Sequence, residues 1–329
     1  MRARVAAAPA VALLLGALAP APAPAAEPAP LEDARRAAER IAFDGVLEVR
    51  WRDGVETRSE RLTVEAAGGA LMVRGANLVM ARPAFGRLLA HGGGGWEEMW
   101  LPSLAPGPRP DGRAKYATTP SGAGPAVATR PTKVVEVRRS SALVERIYLD
   151  TETDLLLERD QFDAGGTVVR TLAFESLTYR SSSTSPAAGP QSPAHHAPKA
   201  VSSGSSAATL ADGYQRMGTY RSGGVVQTLY SDGLYDLSLF EQRGRLLRSD
   251  LPGPGERVAV GKATGWRYPW PGGQLVVWSA GGTVFTAVSD APADQVLAAV
   301  RSLPAPRASE PSLLGKVRRA CQALMEPLA

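Results

Sequence analysis

Residues 132–179 place the tightest limit on what this chain can fold into. Four segments rich in Val, Leu, Ile, Tyr and Phe lie there, at 132–137, 143–149, 155–162 and 167–179. The last three are joined by turn chemistry, first through Asp150 to Asp154 and then through Asp163-Ala164-Gly165-Gly166. Parallel neighbours would need a crossover of a dozen or more residues, and there is no room for one. The segments are therefore expected to form an antiparallel meander, one face of which must be covered.

The preceding sequence continues this pattern. Residues 31–41 have helical spacing, with Leu31, Ala34, Ala38 and Ile41 on one side and Glu32, Arg35, Arg36, Glu39 and Arg40 facing out. This helix is a candidate cover for the sheet. Residues 43–51 then alternate, and Asp53-Gly54 is a strong hairpin signal. Strands are expected at 55–64 and 70–79, turning at Gly68-Gly69. Residues 83–110 read as a long loop, with a short helix near 85–89 and a flexible turn at Gly92 to Gly95.

Residues 181–207 are Ser, Pro, Ala and Gly with almost no large apolar side chain. Such a segment cannot offset its ordering entropy and reads as a linker. Beyond it, 225–231 and 234–241 flank Asp232-Gly233, a second hairpin turn. Strands follow at 257–262, 274–279 and 283–288. Asp290 is expected to cap a helix from Ala291, with Pro292 in its first turn and Val296, Leu297, Val300 and Leu303 as its apolar stripe.

The first residues have the grammar of an export signal. Arg2 and Arg4 precede an apolar run at 5–18, and small residues at 23–26 suit cleavage after Ala25 or Ala26. The run is shorter than the ~20 residues of a spanning helix. No Cys stands at the cleavage point, so no lipid-modified terminus is expected. Cys321 is the sole cysteine, which excludes an intrachain disulfide. After 304, Leu313, Val317, Cys321, Leu324 and Leu328 share a helical face, with Lys316, Arg318 and Arg319 elsewhere. This tail helix would pack on its own domain, a membrane or a partner.

The organisation is thus a signal peptide at 1–26, a first domain at 27–180, a linker at 181–207, a second domain at 208–304 and a tail at 305–329. The fold class is α+β and mainly β: a curved antiparallel sheet closed by helices, then a smaller α+β domain of antiparallel strands and one helix. The net charge of +5 comes without a basic run, so nucleic acid is not expected as a partner.

Catalytic grammar is missing. His195 and His196 lie in the linker, and His91 precedes the glycine run. No Ser-His-Asp, Gly-x-Ser-x-Gly or His-Glu-x-x-His pattern is present. Glu97-Glu98 and Asp150 with Asp154 are carboxylate pairs, but the second belongs to a turn, where Asp is common. No enzyme activity, cofactor or metal is expected. The aromatic residues say more. Trp96, Met99, Trp100 and Leu101 put large apolar groups into a loop-like segment and are the candidate partner or lipid contacts. Trp266 and Trp270, flanking Pro269, are a second candidate contact surface, whereas Trp278 reads as core.

The segments RPTKVVEV and ERIYLDTETDLLLERDQFDAGGTVVRTLAFESL, within 130–177, resemble the MucB/RseB family of extracytoplasmic regulators. So do TLYSDGLYDLSLFE at 228–241 and TVFTAVSDAPADQVLAAVRSLP at 283–304. The resemblance implies a first domain like the lipoprotein carriers LolA and LolB, a half-barrel closed by helices. It implies binding to the extracytoplasmic domain of a membrane anti-sigma factor, protection of that factor from proteolysis, and release by lipid. The alternative is a lipid or lipoprotein carrier of the cell envelope, against which the second domain counts. A homodimer is left open.

Overall fold

The computed structural model describes residues 30–67, 70–75, 79–82, 89–92, 95–98, 115–180, 199–200, 207–222, 224–248, 251 and 255–304. Helix α1 (Pro30–Arg40) leads into β1 (Ala42–Asp53), β2 (Glu56–Ala67), β3 (Ala70–Arg74), β4 (Val79–Arg82), β5 (Leu89–Gly92) and β6 (Gly95–Glu98). The meander follows as β7 (Ala117–Val127), β8 (Arg130–Arg139), β9 (Ala142–Asp150), β10 (Leu156–Phe162) and β11 (Val168–Arg180). These form an antiparallel sheet in the order β6-β5-β4-β3-β2-β1-β11-β10-β9-β8-β7. A long return sets β11 beside β1, where Trp51 stands opposite Arg170 and Val49 opposite Leu172. Every other neighbouring pair is sequential, as short connections dictate.

The second sheet contains β12 (Lys199–Ala200), β13 (Gln215–Ser222), β14 (Val225–Ser231), β15 (Asp236–Arg243), β16 (Glu256–Val260), β17 (Ala263–Trp270), β18 (Gly273–Ala280) and β19 (Thr283–Ser289). Its order is β12-β13-β14-β15-β19-β18-β17-β16, again antiparallel, and helix α2 (Ala293–Arg301) completes the described chain. Among the described residues the protein is mainly β, with two α-helices, neither long and apolar enough to cross a membrane.

Two apolar clusters hold these parts. One gathers Phe43, Leu47, Val49, Trp51, Leu62, Val64, Leu172 and Phe174 with Tyr148 and Leu157 inside the first sheet. The other joins the two sheets: Val135, Val137, Ile147 and Leu149 pack with Tyr214, Tyr230, Leu234, Tyr235 and Val296. Leu31 and Ala34 of α1 belong to this shared cluster and Ala37 to the first, so the helix packs into both. Its outward charges pair locally, as Arg35 does with Glu32 and Glu39 at 3.0 Å each. Exposed pairs of this kind contribute about 0.5 kcal/mol or less.

Several sequence expectations need correction. Residues 83–110 are not simply a loop: β5 and β6 form there, pairing His91 with Trp96 and Gly92 with Gly95. Residues 83–88 and 99–110 lie outside the described residues, as do the segment expected as a leader, residues 181–198 and 201–206 of the segment expected as a linker, and the expected tail beyond 304. Strand β12 lies within the segment expected as a linker. The proposed Trp270 contact surface is overturned, because that residue lies in β17 and is 2% exposed. Finally, α2 starts at Ala293 with Pro292 as its N-cap residue, and no side chain caps it. The Asp290 carboxylate is engaged elsewhere.

Gly273 opens β18 at φ +127°, and a Cβ there would stand 2.3 Å from the Ser289 carbonyl oxygen and 2.7 Å from Asp290 Cα. Gly273→Ala should therefore lower the unfolding free energy by about 2 kcal/mol or more, from backbone strain together with overlap. Gly54, at φ +63° with open space around it, should cost about 1–2 kcal/mol when replaced by Ala. Urea midpoints of the two variants check this order.

Candidate functional site: the seam between the two sheets

The register of β9, β10 and β11 builds the first half of the seam. Glu145 stands opposite Gln161, and Gln161 opposite Arg170. One step along, Ile147 stands opposite Arg159 and Arg159 opposite Leu172. Directly opposed residues share a face, and so do residues two apart. One face of the sheet thus carries Glu145, Arg159, Gln161 and Arg170 among apolar neighbours. All four are at least nine-tenths buried.

The second sheet completes this row. Arg159 grips Glu145 through two bonds, Nε to Oε2 at 2.8 Å and Nη2 to Oε1 at 2.6 Å. Its Nη1 donates to Asp290 Oδ2 at 3.3 Å. Asp290 Oδ1 accepts from the Asp236 amide at 3.0 Å, and the Asp290 carbonyl accepts from Gln161 Nε2 at 2.8 Å. Arg170 Nε donates to the Pro271 carbonyl at 3.0 Å. The Arg159 guanidinium also lies 5.6 Å from the centre of the Tyr235 ring. Asp290 fails to cap α2 because its carboxylate ties Arg159 to the backbone of β15.

A second set of bonds lies alongside. Tyr116 Oη donates to Asp232 Oδ2 at 2.6 Å, and Lys115 forms an ion pair with the same carboxylate. The other Asp232 oxygen accepts from the amides of Leu234 and Tyr235 at 3.0 and 2.8 Å. The hairpin turn seen in the sequence at Asp232-Gly233 is thus also a docking point for the first sheet. Tyr116 packs edge-on to Tyr235 at 6.0 Å, and Arg139 pairs with Asp212 at 2.5 Å.

Burial sets the electrostatics of the seam. It raises the pKa of Glu145 against the pull of Arg159, and it raises that of Asp290. Asp236 is pushed up to about 8 by burial and by the Asp290 charge, and its Oδ1 is buried without a hydrogen-bond partner. Burial would lower Arg159, but Glu145 and Asp290 hold it above its ordinary value. Arg170 falls to about 10 through burial and the nearby Arg159 charge. A cluster of this kind holds charges in fixed positions and responds to protons and to rearrangement of the sheets.

The residues chosen from the sequence sit elsewhere. Trp96 is in β6, and Met99, Trp100 and Leu101 lie outside the described residues. His91 is in β5, while His195 and His196 are outside the described residues. Asp150 is a buried turn carboxylate that accepts from Tyr179 Oη at 2.8 Å and from the Glu152 amide at 2.8 Å, and it pairs with Arg130. Burial would raise its pKa, but these bonds hold it low. Asp154 pairs with Lys133 instead of with Asp150. Among the described residues, no group of three or more His, Cys, Asp or Glu side chains could hold a metal.

No protein-family model and no curated protein sequence matches the chain. Solved structures do. A crystal structure of MucB matches with a TM-score of 0.50 and 17% identity, covering 84% of this chain and 97% of that one. MucB in complex with MucA(peri) matches with a TM-score of 0.43 and 18% identity, over 85% and 98% of the two chains. The Pseudomonas aeruginosa MucA/MucB complex matches with a TM-score of 0.42 and 16% identity, over 85% and 98%. The fold is MucB-like, with two antiparallel sheets in one chain.

Proposed function

We propose that the chain is an exported regulator that binds the extracytoplasmic domain of a membrane anti-sigma factor and limits its proteolysis. The extent of the fold match carries this reading: nearly the whole of MucB is covered, which takes in both sheets. A carrier of the LolA type would need only the first. The sequence resemblance to the MucB/RseB family points the same way, and MucB has itself been solved with MucA(peri). In this reading the leader at 1–26 directs export and residues 181–207 link two domains. The seam fixes how the domains present themselves to the partner.

The finer part of the proposal is release by lipid bound within the first sheet, for which the family resemblance implies a half-barrel closed by helices. An acyl chain would gain about 0.8 kcal/mol per buried CH₂ there. Lipid that lowers partner affinity must itself bind more weakly, by the same factor, once the partner is seated.

We also retain Trp96, Met99, Trp100 and Leu101 as contacts for partner or lipid. Replacing Trp96 and Trp100 with Ala should weaken capture of the partner by about tenfold or more, the scale of a buried aromatic contact. The thermal transition should stay within about 2 °C, as for substitutions away from a core. A collapse of the transition would place both residues in the core. The reading as a whole is tested by capture from membrane extract of the source cell on the immobilised mature chain. An anti-sigma factor should be the enriched protein. Stoichiometric transfer of lipoprotein, with no such factor, would establish the carrier instead.

A further inference from the structure

The two arginines of the seam row are satisfied very differently. Arg159 is in contact with both carboxylates of the cluster, Glu145 and Asp290. Arg170 is more than nine-tenths buried, and its Nε is spent on the Pro271 carbonyl at 3.0 Å. Its Nη1 and Nη2 have no hydrogen-bond partner among the described residues, and neither atom is sealed from solvent. Glu145 and Asp290 attract Arg170 without touching it, while the Arg159 charge repels it. Val168, two residues along β11 and on the same face, is 39% exposed, so this end of the row reaches water.

Two more donors lie beside it without an acceptor. Trp51 stands directly opposite Arg170 on β1, and its indole Nε1 is buried with no hydrogen-bond partner. Trp270 immediately precedes Pro271, and its Nε1 is likewise buried and unpartnered. Strand β17, which carries Trp270, packs against β1. The other polar neighbours are engaged. Gln161, opposite Arg170 on β10, donates to the Asp290 carbonyl at 2.8 Å. Arg58, opposite Trp51 on β2, pairs with Asp53 at 3.1 Å. Buried donors without acceptors are uncommon in folded proteins, and these gather around a guanidinium whose fork is unused. That fork matches a carboxylate, which accepts two parallel N–H bonds. A doubly charged phosphate would be repelled more strongly by Glu145 and Asp290, whose proton affinities burial already raises.

We propose that Arg170, with the indoles of Trp51 and Trp270 beside it, forms a carboxylate-binding site at the solvent-facing end of the seam, and that an acidic side chain of the protein partner fills it. The choice of occupant rests on the function proposed above, whereas the site rests on this chain alone. The carboxylate accepts two bonds from the guanidinium and, as the side chains close on it, one from an indole N–H. Arg170 belongs to β11 and is tied to the turn between β17 and β18. A bound carboxylate therefore holds both sheets at once and stabilises their docking.

The test runs on the full mature chain with isotope-labelled tryptophan, the indole N–H resonances of Trp51 and Trp270 being assigned with W51F and W270F. The probes are a capped alanine peptide with Glu at its centre and the same peptide with Gln. The Glu peptide should move one or both indole protons downfield and raise the thermal transition, and the Gln peptide should do neither. R170M should abolish the response. R170K keeps the charge but not the fork, and its affinity for the Glu peptide should fall about tenfold, the scale of one lost charge-assisted bond. Acetate should bind more tightly than inorganic phosphate, and the reverse order would overturn the carboxylate assignment. No response to either peptide, an equal response to both, or an unchanged response in R170M would overturn the site whether or not membrane extract yields an anti-sigma factor. Where R170M does not fold, unchanged affinity in R170K overturns it. An anti-sigma factor captured equally by wild type and R170K would leave the function standing and overturn the assignment of this site to the partner.

Discussion

Replacing Arg159 with Met should lower the unfolding free energy by about 3–5 kcal/mol at pH 7, as expected when one member of a buried ion cluster is removed. The residue is 3% exposed and lies between Glu145 and Asp290. Without it, two buried carboxylates lose the cation that bonds to both, and Arg170 remains as the nearby positive charge. Their folded-state pKa values, already raised by burial, must rise further. A carboxylate whose folded pKa is raised binds its proton more tightly in the folded state. Its contribution is therefore most favourable at low pH and is lost as pH increases. The deficit of the variant should accordingly shrink between pH 7 and pH 5. Adding Glu145→Gln to the same chain should recover part of it. Urea denaturation at the two pH values measures all three effects. A loss below about 1 kcal/mol, within the range of an ordinary surface change, would mean that the cluster does not hold the sheets together.

The second large effect belongs to Asp236. Its pKa of about 8 in the folded chain lies well above the ~3.9 of an unfolded Asp. Between those two values the folded chain holds a proton that the unfolded chain has released. Asp236 therefore makes stability fall as pH rises through this window, with a limiting slope of about 1.4 kcal/mol per pH unit. Asp236→Asn removes the titration. The variant should match the wild type below about pH 4 and exceed it by a margin that grows as pH rises toward 8. Parallel stability profiles for the two proteins, with no divergence above pH 6, would contradict this. Because Asp290 lies in the same cluster, the rise of charge on Asp236 also strains the seam, so sheet docking should loosen on the alkaline side.

The meander was readable because its apolar alternation and its turn residues agree. Asp150 to Asp154 and the Asp163 turn sit where β9, β10 and β11 change direction. Strands β7, β13 and β17 lacked such agreement. Strand β7 is hidden by Pro120, Gly122, Gly124 and Pro125, which an edge tolerates and a central strand does not. Strand β13 has alternation broken by its slip at Met217. Strand β17 was obscured by Pro269, although Trp270 and Tyr268 are core residues.

The seam was a different kind of omission. Its signal was present in the sequence: on the face set by Ile147 and Leu149, the alternation also places Glu145. Likewise, Arg159 and Gln161 fall where an apolar face was expected. A charged residue at such a position announces either a buried partner or an error of register. The partner, Asp290, comes from more than a hundred residues away, and local pattern cannot supply it. Asp290 itself was visible, but as a helix cap, because Asp before a Pro and an apolar stripe ordinarily has that role.

The most direct test of the central claim is the rate at which the extracytoplasmic domain of an anti-sigma factor captured from membrane extract is cleaved by protease, with and without the mature chain. The account predicts that a stoichiometric amount of the chain slows cleavage at least tenfold, and that Arg159→Met, which unsettles the seam, protects less well at equal concentration. An unchanged cleavage rate at saturating concentrations of folded wild-type chain would contradict it.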